Sequence, residues 1–157
     1  MTTFRAAFEN VAPRYVSAAW DYAHRSPAVE LLWVYVTQVG GSLLLQRAYY
    51  QVGGALREPH ELDTAIPNVD TSADGQDWLF DQLLDQTLAL VQVVGDKSEI
   101  PNRMILRFRP ADHDLQANFS YEPLQPGSAV EAWVPAAQLA ERWFARLKRT
   151  GDDSPDL

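Results

Sequence analysis

Apolar residues recur every three or four positions in three segments of the chain, which is the spacing of one buried helix face. The first segment covers residues 4–22 and contains Pro13, which predicts a kink or two short helices. The second covers residues 75–94, and the third begins near Pro135, a favourable first position of a helix. The pattern therefore predicts an N-terminal, a central and a C-terminal helix.

Between these helices the apolar residues alternate with polar ones or form continuous runs, as is typical of β-strands. Residues 29–39 and 42–51 flank a Gly-Gly pair, which predicts a hairpin because glycine tolerates positive φ. Both alternating sets of the first run are apolar, so this strand is expected in the centre of its sheet. Residues 103–109 and 115–121 alternate on either side of a turn and predict a second hairpin.

These elements predict an α+β fold, in which an antiparallel sheet built from two hairpins carries the N-terminal, central and C-terminal helices on one face. The length of 157 residues suits a single domain. We assign residues 1–149 to this domain. The remaining residues, 150–157, add three aspartates and are expected to form a disordered acidic tail.

Negative charge is concentrated in one stretch of the chain. The whole sequence carries a formal net charge of −8, and residues 58–85 contain eight acidic residues and no lysine or arginine. Concentrated charge of one sign produces a field that steers a basic partner. The acidic balance disfavours nucleic-acid binding, which needs lysine and arginine to displace phosphate counterions.

Familiar catalytic and metal-binding motifs are absent from the sequence. The chain has no cysteine, which excludes disulfides, zinc–thiolate sites and cysteine nucleophiles. It has neither a glycine-rich phosphate loop nor a nucleophile elbow, and its three histidines lie far apart. We therefore predict no catalytic residue, no metal site, no cofactor and no enzymatic activity. No apolar run reaches the length of a signal peptide or a membrane span, so we expect a cytoplasmic protein without a membrane partner.

One short stretch follows the spacing of a calcium-binding loop, with oxygen ligands and a glycine at Asp70, Ser72, Asp74, Gly75 and Asp81. The last position normally carries a longer glutamate, and Asp77 stands where an apolar residue is usual. Capping of the central helix by Ser72 or Asp74 is the preferred interpretation. The sequence alone leaves calcium binding open.

The central helix carries its acidic residues on a face separate from its apolar stripe. Asp77, Asp81 and Asp85 fall on this face. A helix that is merely solvated normally carries interspersed lysine or arginine at i,i+4 spacing, and here there is none. A cationic partner would relieve the resulting repulsion, so an interaction surface and a solvated face are both open interpretations.

Three stretches carry a resemblance to a known family. Residues 31–36 form an aromatic first strand, and residues 49–56 form an aromatic strand that runs into a tight turn. Residues 104–108 and 115–122 form a late hairpin that ends in a Tyr-Glu pair. With the order of elements, these stretches resemble the YezG-type immunity proteins, the antitoxin partners of secreted polymorphic toxins. The resemblance covers residues 1–147, and the acidic connection and tail depart from it.

The resemblance implies a protein without an active site, which binds a cognate secreted toxin and covers the catalytic cleft of that toxin. The toxin is expected to be a nuclease or an enzyme that degrades NAD. A negative surface mimics phosphate charge and accelerates the encounter with a basic nuclease. The residues expected in this partner-binding surface are Asp74, Asp77, Asp81 and Asp85, with Glu58, Glu61 and Asp63 nearby.

Two other functions stay open at this point. The aromatic residues Trp33, Tyr35 and Tyr49 either fill the core or line the pocket of a small-ligand-binding or enzymatic domain. A secretion chaperone or adaptor would also be small, acidic and cytosolic, and it would bind a partly unfolded effector. The outer face of the second hairpin carries Arg103, Arg107 and Arg109. It is either a second contact surface or a solvated face, and the solvated face is the preferred interpretation.

Overall fold

A computed structural model describes residues 2–39, 42–122 and 136–156 of the chain. These residues form three α-helices and five β-strands, together with two short 3₁₀ turns, Pro59–Thr64 and Lys97–Glu99. In chain order the elements are α1 (Phe4–Tyr22), β1 (Val29–Val39), β2 (Ser42–Val52), β3 (Ala55–Arg57), α2 (Ala73–Val93), β4 (Arg103–Arg109), β5 (Asp114–Ser120) and α3 (Ala136–Thr150).

The five strands form one antiparallel sheet in the order β3-β2-β1-β4-β5. Trp33 in β1 stands opposite Tyr49 of β2 and Arg107 of β4, so β1 is central, as its two apolar sides predict. The predicted α+β fold with two hairpins is confirmed. The predicted Gly-Gly turn and the predicted helix start at Pro135 lie outside the described residues.

Helices α1 and α2 pack on one face of the sheet, where the even-numbered residues of β1 meet them. Leu32 and Val34 belong to this core, together with Tyr15 of α1 and Leu83 of α2, and all four are fully buried. The hydroxyl groups of Tyr15 and Thr87 lie 2.6 Å apart and join the two helices by a buried hydrogen bond. Side-chain burial and this polar link together fix α2 against α1.

Helix α3 lies on the opposite face, which corrects the expectation that all three helices share one face. The odd-numbered residues Trp33 and Tyr35 of β1 pack with Ile105 of β4 and with Trp143 and Phe144 of α3. Because successive side chains of a strand point to opposite faces, a central strand that is apolar on both sides needs cover on both. The second helix layer provides this cover.

Helix α1 runs from Phe4 to Tyr22 as one helix, although Pro13 lies inside it. The sequence predicted either a kink or two short helices, and the structure has one helical element. Pro13 is exposed, so its ring meets solvent at the outer side of α1. No helix among the described residues is both long and apolar enough to cross a membrane.

The residues that follow α3 lie against the second face of the sheet. The Trp33 indole donates to a carboxylate oxygen of Asp153 (3.1 Å), and the Trp143 indole donates to the carbonyl oxygen of Ser154 (2.9 Å). We predicted a disordered tail here from the acidic composition of the segment. Composition alone does not indicate these contacts.

Candidate functional site

Local hydrogen bonds define the residue at which α2 begins. The hydroxyl of Ser72 accepts a hydrogen bond from the backbone N–H of Gly75 (3.2 Å), so Ser72 is the N-cap and α2 begins at Ala73. The carboxylate of Asp70 accepts from both the backbone N–H and the hydroxyl of Ser72. These two hydrogen bonds hold the pKa of the Asp70 carboxyl below its ordinary value.

Four aspartates form a single exposed stripe along α2, which we call the acidic face. They are Asp74, Asp77, Asp81 and Asp85, and all four are exposed. At 3.6 residues per turn, they lie within about 80° of one another around the helix axis. The buried side of α2 contains Leu79, Leu83 and Leu90 instead. The predicted acidic residues of α2 are therefore brought together on the side of the helix that faces solvent.

The acidic face has no internal counter-charge. Among the described residues, none of its four carboxylates forms an ion pair or a side-chain hydrogen bond. Elsewhere the fold does pair exposed charges, as between Arg5 and Glu9 (3.3 Å). Like charges at i,i+4 spacing repel one another, so the acidic face destabilises α2 in the isolated protein.

The other three predicted partner-binding residues have local roles at the 3₁₀ turn before α2. The carboxylate of Glu61 accepts a hydrogen bond from the backbone N–H of Glu58 (2.9 Å) and thereby caps the turn. The carboxylate of Asp63 accepts from the hydroxyl of Thr71 (3.2 Å), which places Asp63 beside the segment that leads into α2. Glu58 and Glu61 are half-buried, whereas Asp63 is exposed.

An exposed tryptophan adjoins the acidic face, and the sequence reasoning assigned it no role. Trp78 is 44 % exposed. Because Trp78 lies four positions after Asp74 and three before Asp81, it is on the same side of α2 as these aspartates. Within the described part of the chain its ring makes no aromatic contact or hydrogen bond. Its signal in the sequence is the helical spacing that places a large aromatic residue beside Asp74 and Asp81. Tryptophan is enriched among residues that dominate binding energy at protein interfaces.

The helical geometry of α2 does not fit the calcium loop considered from the sequence. Because α2 begins at Ala73, Asp74 and Asp81 are separated by about 10 Å along the helix axis. Calcium ligands lie about 2.3–2.6 Å from the ion, so these two carboxylates cannot share one. Asp70 and Ser72 instead form the cap described above.

A second group of potential metal ligands lies in the 3₁₀ turn. Ligand atoms of Glu58, His60 and Glu61 all lie within 4.8 Å of one another. The His60 imidazole stands 3.9 Å from the Glu58 carboxylate, and Glu61 is already engaged as a cap. Acidic side chains near a protein surface commonly lie close together without a bound ion, and we assign no metal to the turn.

The aromatic residues that could have lined a pocket are instead packed between the sheet and α3. Trp33, Tyr35 and Tyr49 are all buried. The ring of Tyr49 stacks on Phe144 with centroids 4.1 Å apart, and the ring of Tyr35 lies 5.4 Å from Trp143. Burial raises the pKa of both tyrosines, as expected for hydroxyl groups withdrawn from water. Their placement indicates a packing role.

No model of a known protein family matches the chain, and no curated protein matches its sequence. The surface chemistry of the described residues is therefore the structural evidence for a function. The acidic face of α2, with Trp78 beside it, combines exposure, concentrated charge and an unused aromatic ring.

Proposed function

We propose that the chain is an immunity protein of the YezG type, which binds a cognate secreted toxin and occludes its catalytic cleft. The observation that carries the proposal is the acidic face of α2, whose four carboxylates have no partner among the described residues. The resemblance of three sequence stretches to such proteins supports it. An immunity protein acts by steric occlusion and needs no catalytic residue of its own.

In this proposal the carboxylates of the acidic face and the ring of Trp78 contribute to binding in different ways. The carboxylates steer a basic toxin surface toward α2 and raise the association rate. Trp78 supplies apolar contact area and a ring face over which an arginine or lysine of the toxin can lie. A nuclease fits this description best, because its substrate-binding cleft is basic and the carboxylates imitate phosphate charge.

Inhibition of a candidate toxin tests the proposal, and matched charge variants measure the contribution of the acidic face. The double variant Asp77→Asn/Asp81→Asn removes two carboxylates from the acidic face. Glu122→Gln/Glu141→Gln removes the same charge from exposed positions elsewhere. We expect the first variant to need about tenfold more protein for half-inhibition, and the second to match the wild type. Trp78→Ala is expected to weaken inhibition by a similar factor through faster dissociation.

Equal inhibition by both double variants would remove the acidic face from the mechanism. The alternative functions give different results in the same assay. A secretion chaperone would bind the effector only before it folds and would leave the activity of the folded toxin unchanged. A ligand-binding or enzymatic domain would not respond to the toxin and would be stabilised by a metabolite.

A further inference from the structure

The second face of the sheet carries a row of hydrogen-bond donors that holds the residues after α3. We call this row the C-terminal groove. Its members come from three elements, and they are Trp33 of β1, Arg103 and Arg107 of β4, and Trp143 and Arg146 of α3. The sequence predicted a solvated arginine face here, but Arg103 is only 2 % exposed.

Several groove donors bind backbone carbonyl groups, which any peptide segment offers. The Arg146 guanidinium donates to the carbonyl oxygens of Ser154 (2.7 Å) and Asp156 (2.8 Å). Trp143 also donates to Ser154, and Arg103 donates to Asp156 (3.0 Å). Such contacts hold the backbone of a bound segment without reading its side chains.

Two other donors select a carboxylate. The Trp33 indole and the Arg107 guanidinium both donate to the same carboxylate oxygen of Asp153, at 3.1 and 3.0 Å. A carboxylate oxygen of Asp152 lies 3.6 Å from Nε of Arg146. Charge-assisted hydrogen bonds of this kind are stronger than neutral ones and give specificity for acidic side chains.

The groove has more donor groups than residues 152–156 engage. Within the described part of the chain, Nε and one terminal nitrogen of Arg103 are buried and have no hydrogen-bond partner, and neither has the buried hydroxyl of Tyr35, which lies beside the groove. The guanidinium of Arg103 lies 5.7 Å from the ring centroid of Tyr35. This ring and the carbonyl oxygen of Asp156 compensate a buried guanidinium less well than a hydrogen-bonded carboxylate does, so a segment that places a carboxylate here would satisfy Arg103 better.

We propose that the C-terminal groove is a binding site for an extended acidic peptide segment of a partner protein, and that residues 152–156 occupy it in cis. Gly151, with φ of 75°, separates α3 from the bound segment and lets the chain turn back onto the sheet. The groove lies on the opposite side of the sheet from α2, and the proposal does not depend on the toxin-binding function. A segment tethered at millimolar effective concentration competes with any peptide offered in trans.

Peptide binding to the full chain tests this proposal. The probe is a fluorescently labelled peptide with the sequence Gly-Asp-Asp-Ser-Pro-Asp, and its control carries Asn at every Asp. Asp153→Asn keeps the shape of the cis segment but removes the carboxylate that Trp33 and Arg107 bind. We expect this variant to bind the acidic peptide about tenfold more tightly than the wild type does, and to bind the control peptide much more weakly than the acidic one, because the control keeps the backbone contacts but lacks the carboxylates.

Second-site variants locate the bound peptide. Adding Arg107→Gln to Asp153→Asn is expected to abolish binding. Adding Arg109→Gln, on the same strand but paired with Asp112, is expected to leave it unchanged. A second measurement uses the wild type and needs no substitution. Excess acidic peptide is expected to displace residues 151–156 and so to accelerate their amide hydrogen exchange. The proposal is overturned if the peptide neither accelerates this exchange nor binds Asp153→Asn, because the groove then binds only residues 152–156 of the same chain.

Discussion

Single side chains on α2 contribute to the proposed function at the expense of stability. Asp81 has an aspartate four positions before it and another four positions after it on the acidic face. Each like-charge pair at this spacing destabilises a helix by about 0.2–0.5 kcal/mol. Asp81 lies beyond the first turn of α2, so the helix dipole does not offset the repulsion.

Asp81→Asn is therefore expected to raise the free energy of unfolding by about 0.5 kcal/mol at low salt, because asparagine has a similar helix propensity but no charge. Urea denaturation measures the change, and high salt is expected to reduce it. Glu141→Gln on α3, which has no acidic neighbour three or four positions away, serves as the control and should show no gain. A loss of stability in Asp81→Asn would contradict the repulsion argument.

Buried tyrosines make the stability of the fold sensitive to alkaline pH. Desolvation and the nearby carboxylates of Asp70 and Asp63 raise the pKa of Tyr22 to about 12, from an ordinary value of 10.0. Burial also raises the pKa of Tyr15 and Tyr50. Above the ordinary tyrosine pKa, the unfolded chain loses protons that the folded chain retains. Stability is therefore fully present below about pH 10 and is lost as the pH rises toward 12.

Tyr22→Phe is expected to make this alkaline loss shallower, because one of the titrating groups is removed. The measurement is the urea midpoint at several values between about pH 9 and 12, for the variant and the wild type. At neutral pH the variant loses only the hydrogen bond from the Tyr22 hydroxyl to the carbonyl oxygen of Pro59 (3.3 Å). An unchanged alkaline slope would show that Tyr22 does not titrate with the raised pKa.

At the scale of elements, the first turn of α2 determines the direction of the acidic face. Gly75 is buried against Asp70, and a Cβ atom added there would overlap the Asp70 carbonyl oxygen and lie 2.6 Å from Asp70 Cγ. Alanine normally favours a helix over glycine by about 1 kcal/mol. Here the close approach of two backbone segments outweighs that preference.

We expect Gly75→Ala to lower the free energy of unfolding by about 1–2 kcal/mol, the reverse of the usual effect of this substitution in a helix. Chemical denaturation of the two proteins provides the comparison. Ser72→Ala, which removes the N-cap hydroxyl without a clash, is expected to cost about 1 kcal/mol and separates loss of the cap from steric overlap. Stabilisation by Gly75→Ala would show that Asp70 is free to move away.

Periodicity in the sequence was sufficient to predict the three helices and the strands of both hairpins, but not the two 3₁₀ turns. The central position of β1 followed from its two apolar sides, and α2 begins two residues before the predicted range. The face that α3 occupies could not be deduced, because an apolar stripe shows that a helix is buried but not against which surface. The burial of Arg103 also escaped prediction, since its cover comes from residues distant in sequence.

The acidic stripe of α2 was likewise visible from spacing, whereas its aromatic neighbour was not recognised. Trp78 resembles a core residue in a sequence pattern, and only the packed helix shows that its ring is exposed. The local roles of Glu58 and Glu61 depend on the backbone path of the 3₁₀ turn. The exposure of Trp78 and the roles of Glu58 and Glu61 depend on tertiary structure, which the sequence pattern does not specify.

On the scale of the whole molecule, the central sheet separates two surfaces of different character. One helix layer, α1 with α2, presents the acidic face and Trp78 to solvent. The other layer, α3 with residues 152–156, encloses a row of arginine and tryptophan donors. The first surface is proposed to bind a basic toxin and the second an acidic segment, so the two binding events use opposite charges and do not compete for the same residues.

The association rate constant with the candidate toxin, measured from low to physiological ionic strength, tests the central claim most directly. If the acidic face steers a basic partner, the rate constant should fall by about tenfold or more over this range, while the dissociation rate changes little. The Asp77→Asn/Asp81→Asn variant should show a smaller fall than the wild type. Association that does not respond to salt, or a toxin that fails to bind at any ionic strength, would contradict the account.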